Sequence, residues 1–566
     1  MTAKEEKGML KTKIISSLSR VFIDSKLEDF APLTKISALK GERISFQLVH
    51  HRFMEEGESI YAYREMFTPK FSGELAKYVT VREVQHVGVE LPIIVGDSDP
   101  YYERTEPGLY PDVLRPLHYG GKTIAKTAFP TSLWVDVTIP ADATEVGVSE
   151  LKVEMVNEAG EVKTCDVLTV DLIDAVLPEQ TLVLTQWFHC DSLAQYYDVE
   201  VWSEKHWQIV ENFARVAVKN GINLLLTPTF TPPLDTMVGG ERLTTQLVGV
   251  TVEGGKYSFN FDLLDRWVDM CDRIGIKYFE IAHLFTQWGA KHAPKVMATV
   301  DGEYKKIFGW ETDAVSEEYV TFLRSFLSAL LDHMKKNGND KRCYFHISDE
   351  PQLEHLESYK AAKAAVEDLL DGYVIMDALS NYDFWEQGIV NVPIPCNDHI
   401  KKFIDNNVPN LWTYYCCGQR INVSNRLISM PSWRNRSIGM QMYKYDIIGF
   451  LQWGYNFYNN QFSVDEIEPF TDVSGEHWVP AGDTFSVYPA PHGKVFESLR
   501  IVVFHDALQD MRAMQLCQTL YSKEEVVAEI EKVFGQSLAF DTCAKSEATM
   551  LAIRERVNEM IKAKLA

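Results

Sequence analysis

Along the first third of the chain, apolar and polar positions alternate. The stretches "ERISFQLVH", "YVTVREVQHVGVEL", "SLWVDVTIP", "LKVEMVNEAG" and "KTCDVLTVDLIDAVLP" carry β-branched and aromatic residues at partial period two, with turn formers between them. Several short strands without long helices predict a β-sandwich over residues 1–178. Asn157-Glu158-Ala159-Gly160 is the expected hairpin turn between two of these strands.

From about residue 180 the periodicity changes. Short apolar runs now alternate with amphipathic stretches of helical spacing. Eight strands are predicted, at 181–189, 222–230, 277–285, 343–348, 373–380, 389–394, 411–417 and 447–458. Helices are expected between most of them, including Ser203–Asn220, Phe261–Ile274, Ser316–Asn337 and Leu353–Leu370, with Gly221, Gly275 and Gly338 as stops. Eight strand–helix repeats predict a (β/α)₈ barrel within residues 179–500. A doubly wound sheet is the rival, but no G-x-G-x-x-G follows any strand. The segment Glu476–Arg500 is aromatic and rich in Pro and Gly, and is expected to fold over the barrel. Residues 501–566 read as a charged helical segment packing on the barrel.

The chain has 566 residues and a net charge of -24, which excludes a nucleic-acid binder and disfavours anionic membrane surfaces. No run approaches the ~20 apolar residues of a spanning helix, and "MTAKEEKGMLKTKIISSLSR" shows no signal-peptide pattern. The nine cysteines lack C-x-x-C spacing; reduced thiols and a cytoplasmic location are expected, with Cys416 and Cys417 as buried thiols. His189, Cys190 and Asp191 have no second cluster at metal spacing. Neither metal nor cofactor is therefore expected.

A barrel gathers its chemistry at the C-terminal ends of its strands. Those ends offer Trp187 and His189, His283, Asp349 and Glu350, Asn381, Tyr414, and Trp453 with Tyr455; Tyr488 lies in the covering segment. Aromatic faces and hydroxyl-bonding groups of this kind suit a sugar, with its apolar CH faces and rim of hydroxyls. Phosphate ligands would call for Gly-rich turns and basic residues.

The adjacent carboxylates of "HISDEP" stand out. In isolation, Asp349-Glu350-Pro351 reads as the cap of the helix that follows. At the end of a fourth barrel strand it reads as a site. Glycoside hydrolysis needs a proton donor and a second group to support positive charge at the anomeric carbon. Glu350 suits the acid/base, and Asp349 suits a 2-acetamido group whose own carbonyl oxygen attacks. Two alternatives stand: a conventional two-carboxylate hydrolase with Asp377 or Asp398 as nucleophile, and a non-catalytic carbohydrate-binding barrel.

"HISDEP", "GFLQWGYNFY", "GDTFSVYP" and "SLRIVVFHDALQDMRAM", with "LKGERISFQLV" in the first domain, resemble the glycoside hydrolase family 123-like group across nearly the whole chain. The resemblance implies a β-sandwich, a (β/α)₈ barrel, a C-terminal extension and a retaining β-N-acetylgalactosaminidase acting with substrate assistance. By motif, it implies Asp349 as the acetamido-orienting residue, Glu350 as acid/base and Trp453 as a sugar-stacking wall. Gln452 stands where the family often has an aromatic, and Ala507 and Met511 depart from the "RDGxxDY" pattern. The expected partner is a glycan, with N-acetylgalactosamine ahead of N-acetylglucosamine.

Overall fold

A computed structural model describes residues 9–53, 65–118, 120–126 and 128–565. Residues 1–8 of the segment read above for a signal lie outside the described residues. The chain divides into two compact units: residues 1–180 with 420–444 and 496–566, and residues 181–419 with 445–495.

The first unit holds two β-sheets. One runs through Leu10–Ser16, Arg43–Arg52, Thr131–Thr138, Val79–Val89, Gly108–Pro116 and Lys494–Ser498, all paired antiparallel. The other runs through Lys35–Lys40, Val162–Val176, Gly147–Asn157, Glu65–Ser72 and Thr123–Ala125. Alternate residues of both sheets meet in one apolar core, with Leu133, Val135 and Val137 from one and Leu151, Val153, Leu168 and Val170 from the other. The hairpin turn forms as expected: the Asn157 N–H bonds the Glu161 carbonyl, and Gly160 takes the left-handed φ of 83° that the turn requires.

Four helices complete this unit: Ser432–Lys444, Leu499–Gln518, Lys523–Phe534 and Glu547–Leu565. The C-terminal helices therefore group with residues 1–180, where packing on the barrel was expected. Charge explains the preference. Asp510 is buried between Arg436 and Arg554, at 2.6 and 3.0 Å, and Arg554 also pairs with Glu42 at 2.7 Å. Removing one member of such a buried cluster leaves an uncompensated charge, which costs several kcal/mol (~3–5).

The second unit contains all eight expected strands, shorter than predicted: β1 (Val183–Gln186), β2 (Leu224–Thr227), β3 (Tyr278–Ile281), β4 (Cys343–Phe345), β5 (Val374–Ala378), β6 (Val392–Ile394), β7 (Trp412–Tyr414) and β8 (Gly449–Gln452). They form two parallel sheets, in the orders β1-β8-β7 and β2-β3-β4-β5-β6. Hydrogen bonds link the sheets at both seams. The Asn223 N–H bonds the Leu184 carbonyl between β1 and β2, and the Asn397 N–H bonds the Tyr414 carbonyl between β6 and β7. Inward residues of both sheets, among them Leu224, Leu226, Met376, Ile394, Trp412 and Leu451, share one core. Ser203 and Ser316 cap their helices at the predicted N-termini, and Gly275 ends its helix in the left-handed conformation. A mixed four-stranded sheet between residues 249 and 308, two antiparallel hairpins joined by a parallel pairing, was not foreseen.

Candidate active site

Parallel strands deliver their C-terminal ends to one side, and a cavity opens there. It is lined by Trp187, His189, Leu234, Asp235, Gln287, Trp288, Asp349, Glu350, Ala378, Tyr414, Cys416, Cys417, Leu451, Trp453 and Trp478.

Asp349 and Glu350 sit in the loop after β4, pinned on both sides. The Trp288 N–H donates to the Asp349 carbonyl at 3.0 Å, and the Glu350 N–H donates to the Ala378 carbonyl at 3.1 Å. In regular strand geometry, neighbours point to opposite faces. Here Glu350 adopts φ 42°, left-handed for a non-glycine residue, and both carboxyls line the cavity. Asp235 and Trp288 also line it with positive φ, at 39° and 56°. Strain of this kind is held in place only by its surroundings and collects at functional sites. The pair does not cap the next helix, since the turn Leu353–His355 is capped at Gln352 and the helix Leu356–Ala364 begins after it.

The Tyr414 hydroxyl donates to Glu350 Oε1 at 2.5 Å. Burial pushes the Asp349 carboxyl well above the usual carboxylate range, and the Glu350 charge pushes it further. The charge of His346 pulls the other way. Burial also raises Asp235, to about 6.

Beneath the cavity lies a buried charged chain. His346 donates through Nδ1 to Asp377 Oδ1 at 3.0 Å and through Nε2 to Glu280 Oε1 at 2.8 Å. Burial alone would discharge this imidazole, but the two carboxylates raise it to about 9. Asp377 also accepts from the Tyr359 hydroxyl and the Ile347 and Ser348 N–H groups. With four donors aimed at it, Asp377 is the ionised partner, although burial pushes its carboxyl up. Glu280 accepts the Trp187 indole N–H at 2.7 Å, which fixes that aromatic wall. Trp453 is fixed likewise, its indole N–H donating to Asp483 Oδ2 at 2.8 Å.

Of the residues expected to touch substrate, Trp187, His189, Tyr414 and Trp453 line the cavity. The His189 imidazole is neutral, pushed down to about 3 by burial and by Arg242. Its Nε2 donates to the Trp453 carbonyl, and its Nδ1 accepts from Arg242. Four expected residues lie elsewhere. His283 is buried, stacked on His346 with ring centroids 4.2 Å apart. Tyr455 is fully buried, with its hydroxyl donating to the Phe213 carbonyl. Tyr488 is buried between Phe470 and Phe485. Asn381 turns back to accept the Asp383 N–H. Strand alternation and local turns send these side chains away from the cavity. Cys416 and Cys417, expected to be buried, are partly exposed on its wall.

Three of the charged or aromatic lining residues were missed. Asp235 lies eight residues past β2, beyond the strand ends searched. Trp288 belongs to a second Gln-Trp-Gly at 287–289, matching that at 452–454; this repeat was a usable signal. Trp478 comes from the aromatic covering segment.

The arrangement also bears on the two-carboxylate alternatives. Asp377 does not line the cavity, and Asp398 is bonded to Gln419 and His399 away from it. His283, His346 and Asp377 bring ligand atoms within 4.8 Å of one another. However, the two imidazoles stack with planes only 16° apart, so their lone pairs run parallel and do not converge on an ion.

The family model described as "Glycoside hydrolase 123, catalytic domain" matches residues 187–517, which include both carboxylates and the cavity. The chain belongs to glycoside hydrolase family 123. Family 123 membership supports glycosidase activity on glycan substrates. The chain's fold is similar to that of a family 123 glycoside hydrolase from Clostridium perfringens, described with glycolipid glycan hydrolysis. The TM-score is 0.71 at 14% identity, covering 98% of this chain and 97% of that one. A glycosyl hydrolase family 2 member from Bacteroides cellulosilyticus matches with TM-score 0.25 and 9% identity, over 74% of this chain and 44% of that one. An endo-beta-1,4-mannanase from Thermotoga petrophila matches with TM-score 0.33 and 12% identity, over 59% and 77%. No curated protein matches the chain in sequence. No helix among the described residues is long and apolar enough to cross a membrane.

Proposed function

We propose that this family 123 glycosidase is a retaining exo-enzyme that removes terminal β-linked N-acetylhexosamine, N-acetylgalactosamine ahead of N-acetylglucosamine, by substrate-assisted catalysis. In this reading, residues 1–178 form a β-sandwich and the eight parallel strands within 179–500 close as a (β/α)₈ barrel. One observation carries the mechanism: neighbouring carboxyls, which a strand would separate, share one aromatic-walled cavity because Glu350 takes a left-handed backbone.

The substrate's acetamido carbonyl oxygen forms a bond to the anomeric carbon as the bond to the leaving oxygen breaks. Glu350 gives that oxygen its proton. Asp349 faces the acetamido N–H, and its anionic form stabilises the oxazolinium ion. Water then adds at the anomeric carbon and gives its proton to Glu350, the oxazoline opens, and the configuration is retained.

The test pairs Glu350→Gln with Asp349→Asn on 2-acetamido glycosides having activated aryl or unactivated leaving groups. Glu350→Gln should lose about 10²–10⁴-fold on unactivated substrates and less on activated ones, which need less proton donation. Asp349→Asn should lose activity on both. Equal losses for Glu350→Gln, near-wild-type turnover by Asp349→Asn, or wild-type turnover of plain galactosides at the same rate would each refute the assignment.

A further inference from the structure

The charged groups lining the cavity are all carboxylates, Asp235, Asp349 and Glu350, and the donors left to a ligand, such as the indole N–H groups of Trp288 and Trp478, are neutral. The indole N–H groups of Trp187 and Trp453 are committed to Glu280 and Asp483, so both rings offer the ligand only apolar faces. One of the two Gln287 amide N–H groups is spent on the Thr236 carbonyl. The His189 N–H is spent on the Trp453 carbonyl, and its ring is neutral. No lysine or arginine lines the cavity. Arg242, the cation behind it, is closed off by a two-point pair with Asp191 at 2.6 and 2.8 Å.

Against this background, Asp235 is a third carboxylate facing the ligand. Its loop is anchored: Oδ2 accepts the Phe462 N–H at 3.0 Å, and its carbonyl accepts the Ser463 hydroxyl at 2.8 Å. Oδ1 has no hydrogen bond among the described residues and belongs to a residue of the cavity wall. The strained φ of 39° holds the side chain there. Its charge is felt by Asp349, so the two carboxyls share one field.

We propose that Asp235 contacts the substrate and sets its class, with Oδ1 accepting hydroxyl hydrogens of a neutral sugar so that the pocket rejects rings carrying sulfate or carboxylate groups. This rests on the reading of the cavity as the glycosidase site. A neutral hexosaminide brings O–H and N–H donors to a wall whose only charged groups are carboxylates. A sulfate or carboxylate brings only acceptors and a like charge, with no cation to meet it, and unpaired like charge in a desolvated site is strongly discriminating.

The experiment compares an aryl N-acetylhexosaminide with its ring-sulfated counterpart, using wild type, Asp235→Asn and Asp235→Glu. The wild type should prefer the neutral substrate by about 100-fold or more in kcat/KM. Asp235→Asn keeps the acceptor for Phe462 but removes the charge. It should raise KM for the neutral substrate about 10-fold, leave kcat within a few-fold, and narrow the preference about 10-fold. Asp235→Glu should restore the preference. An unchanged preference in a folded Asp235→Asn overturns the proposal, as does a loss confined to kcat. Quenching of tryptophan fluorescence by free N-acetylhexosamine and by its sulfated form supplies a second measurement independent of turnover. If wild type hydrolyses neither substrate, the glycosidase assignment fails. If binding also fails to discriminate, the role of Asp235 fails separately.

Discussion

The buried chain Glu280–His346–Asp377 makes stability depend on pH in a defined window. His346 has no exposure and is raised from its ordinary 6.5 to about 9 by its two carboxylates. A raised imidazole contributes stability that is fully present below 6.5 and is lost as pH rises through about 9. The interval corresponds to roughly 3 kcal/mol, with a limiting slope of about 1.4 kcal/mol per pH unit where the unfolded histidine is neutral and the folded one still charged. Buried carboxyls held above their usual range add a fall of the same sign, Asp349 within the window and Glu103 and Asp506, each raised to about 7, at its lower edge. His189 is held near 3 and His283 well below its usual value, so their terms are complete once pH exceeds 6.5. The buried thiols of Cys343 and Cys396, pushed up to about 12, come into play only above the ordinary thiol value of 9. Urea denaturation followed by tryptophan fluorescence should therefore show the midpoint falling steadily between pH 6.5 and 9. His346→Gln should start lower by roughly 3–5 kcal/mol, because two buried carboxylates lose their cation, and should fall less steeply across the same range, keeping only the slope of the buried carboxyls. A flat wild-type profile, or equal slopes in both proteins, refutes the assignment. Titration of isotope-labelled histidine in the wild type reads the same imidazole directly if the variant does not fold.

Two further expectations follow from local geometry. A Cβ on Gly449 would lie 2.0 Å from ring carbons of Trp412 in the strand core, so Gly449→Ala should lower stability by about 1–3 kcal/mol or more in thermal melts, whereas Gly88→Ala, with nothing within 4 Å, should be close to neutral. Tyr414→Phe removes the 2.5 Å hydrogen bond to Glu350 and should cost about 1.5–3 kcal/mol of transition-state stabilisation, read as a drop of about 10- to 100-fold in kcat/KM with an unchanged melt; full activity would show that this contact has no part in positioning the acid.

The legible parts of the fold were those fixed by local rules. Each of the eight strands is a buried apolar run, and each appears within its predicted span, because burial on both faces leaves few other uses for such a run. The strands are shorter than predicted because the aromatic residues after them, such as Trp187 and Trp453, belong to the cavity wall and have left the ladder. Ser203, Ser316 and Gly275 marked helix ends because their capping chemistry acts within a few residues. The sheet between residues 249 and 308 escaped notice: strands such as Lys256–Asn260 and Glu303–Phe308 are largely exposed, so they carry little of the hydrophobic signal on which strand reading depends.

The site was legible in its residue types but not in its geometry. Reading strand ends found both carboxylates and four lining residues, because parallel strands collect their ends. The same reading also admitted His283, Tyr455 and Tyr488, since sequence alone does not say which strand-end side chains turn inward. Asp235 was invisible to it, because it reaches the cavity through a loop whose path depends on Phe462 and Ser463, more than two hundred residues away. Glu350 is the sharper case. A left-handed backbone is ordinarily the place of glycine or asparagine, and nothing local recommends glutamate there. The Ala378 carbonyl holds the Glu350 N–H, and Trp288 holds the preceding carbonyl. The conformation that brings two adjacent carboxyls to one cavity is thus imposed by the loop after the third strand and the end of the fifth, against the preference of the residue that adopts it. A glycine at position 350 would relieve that strain and remove the proposed acid, so strain and proposed function fall on the same residue.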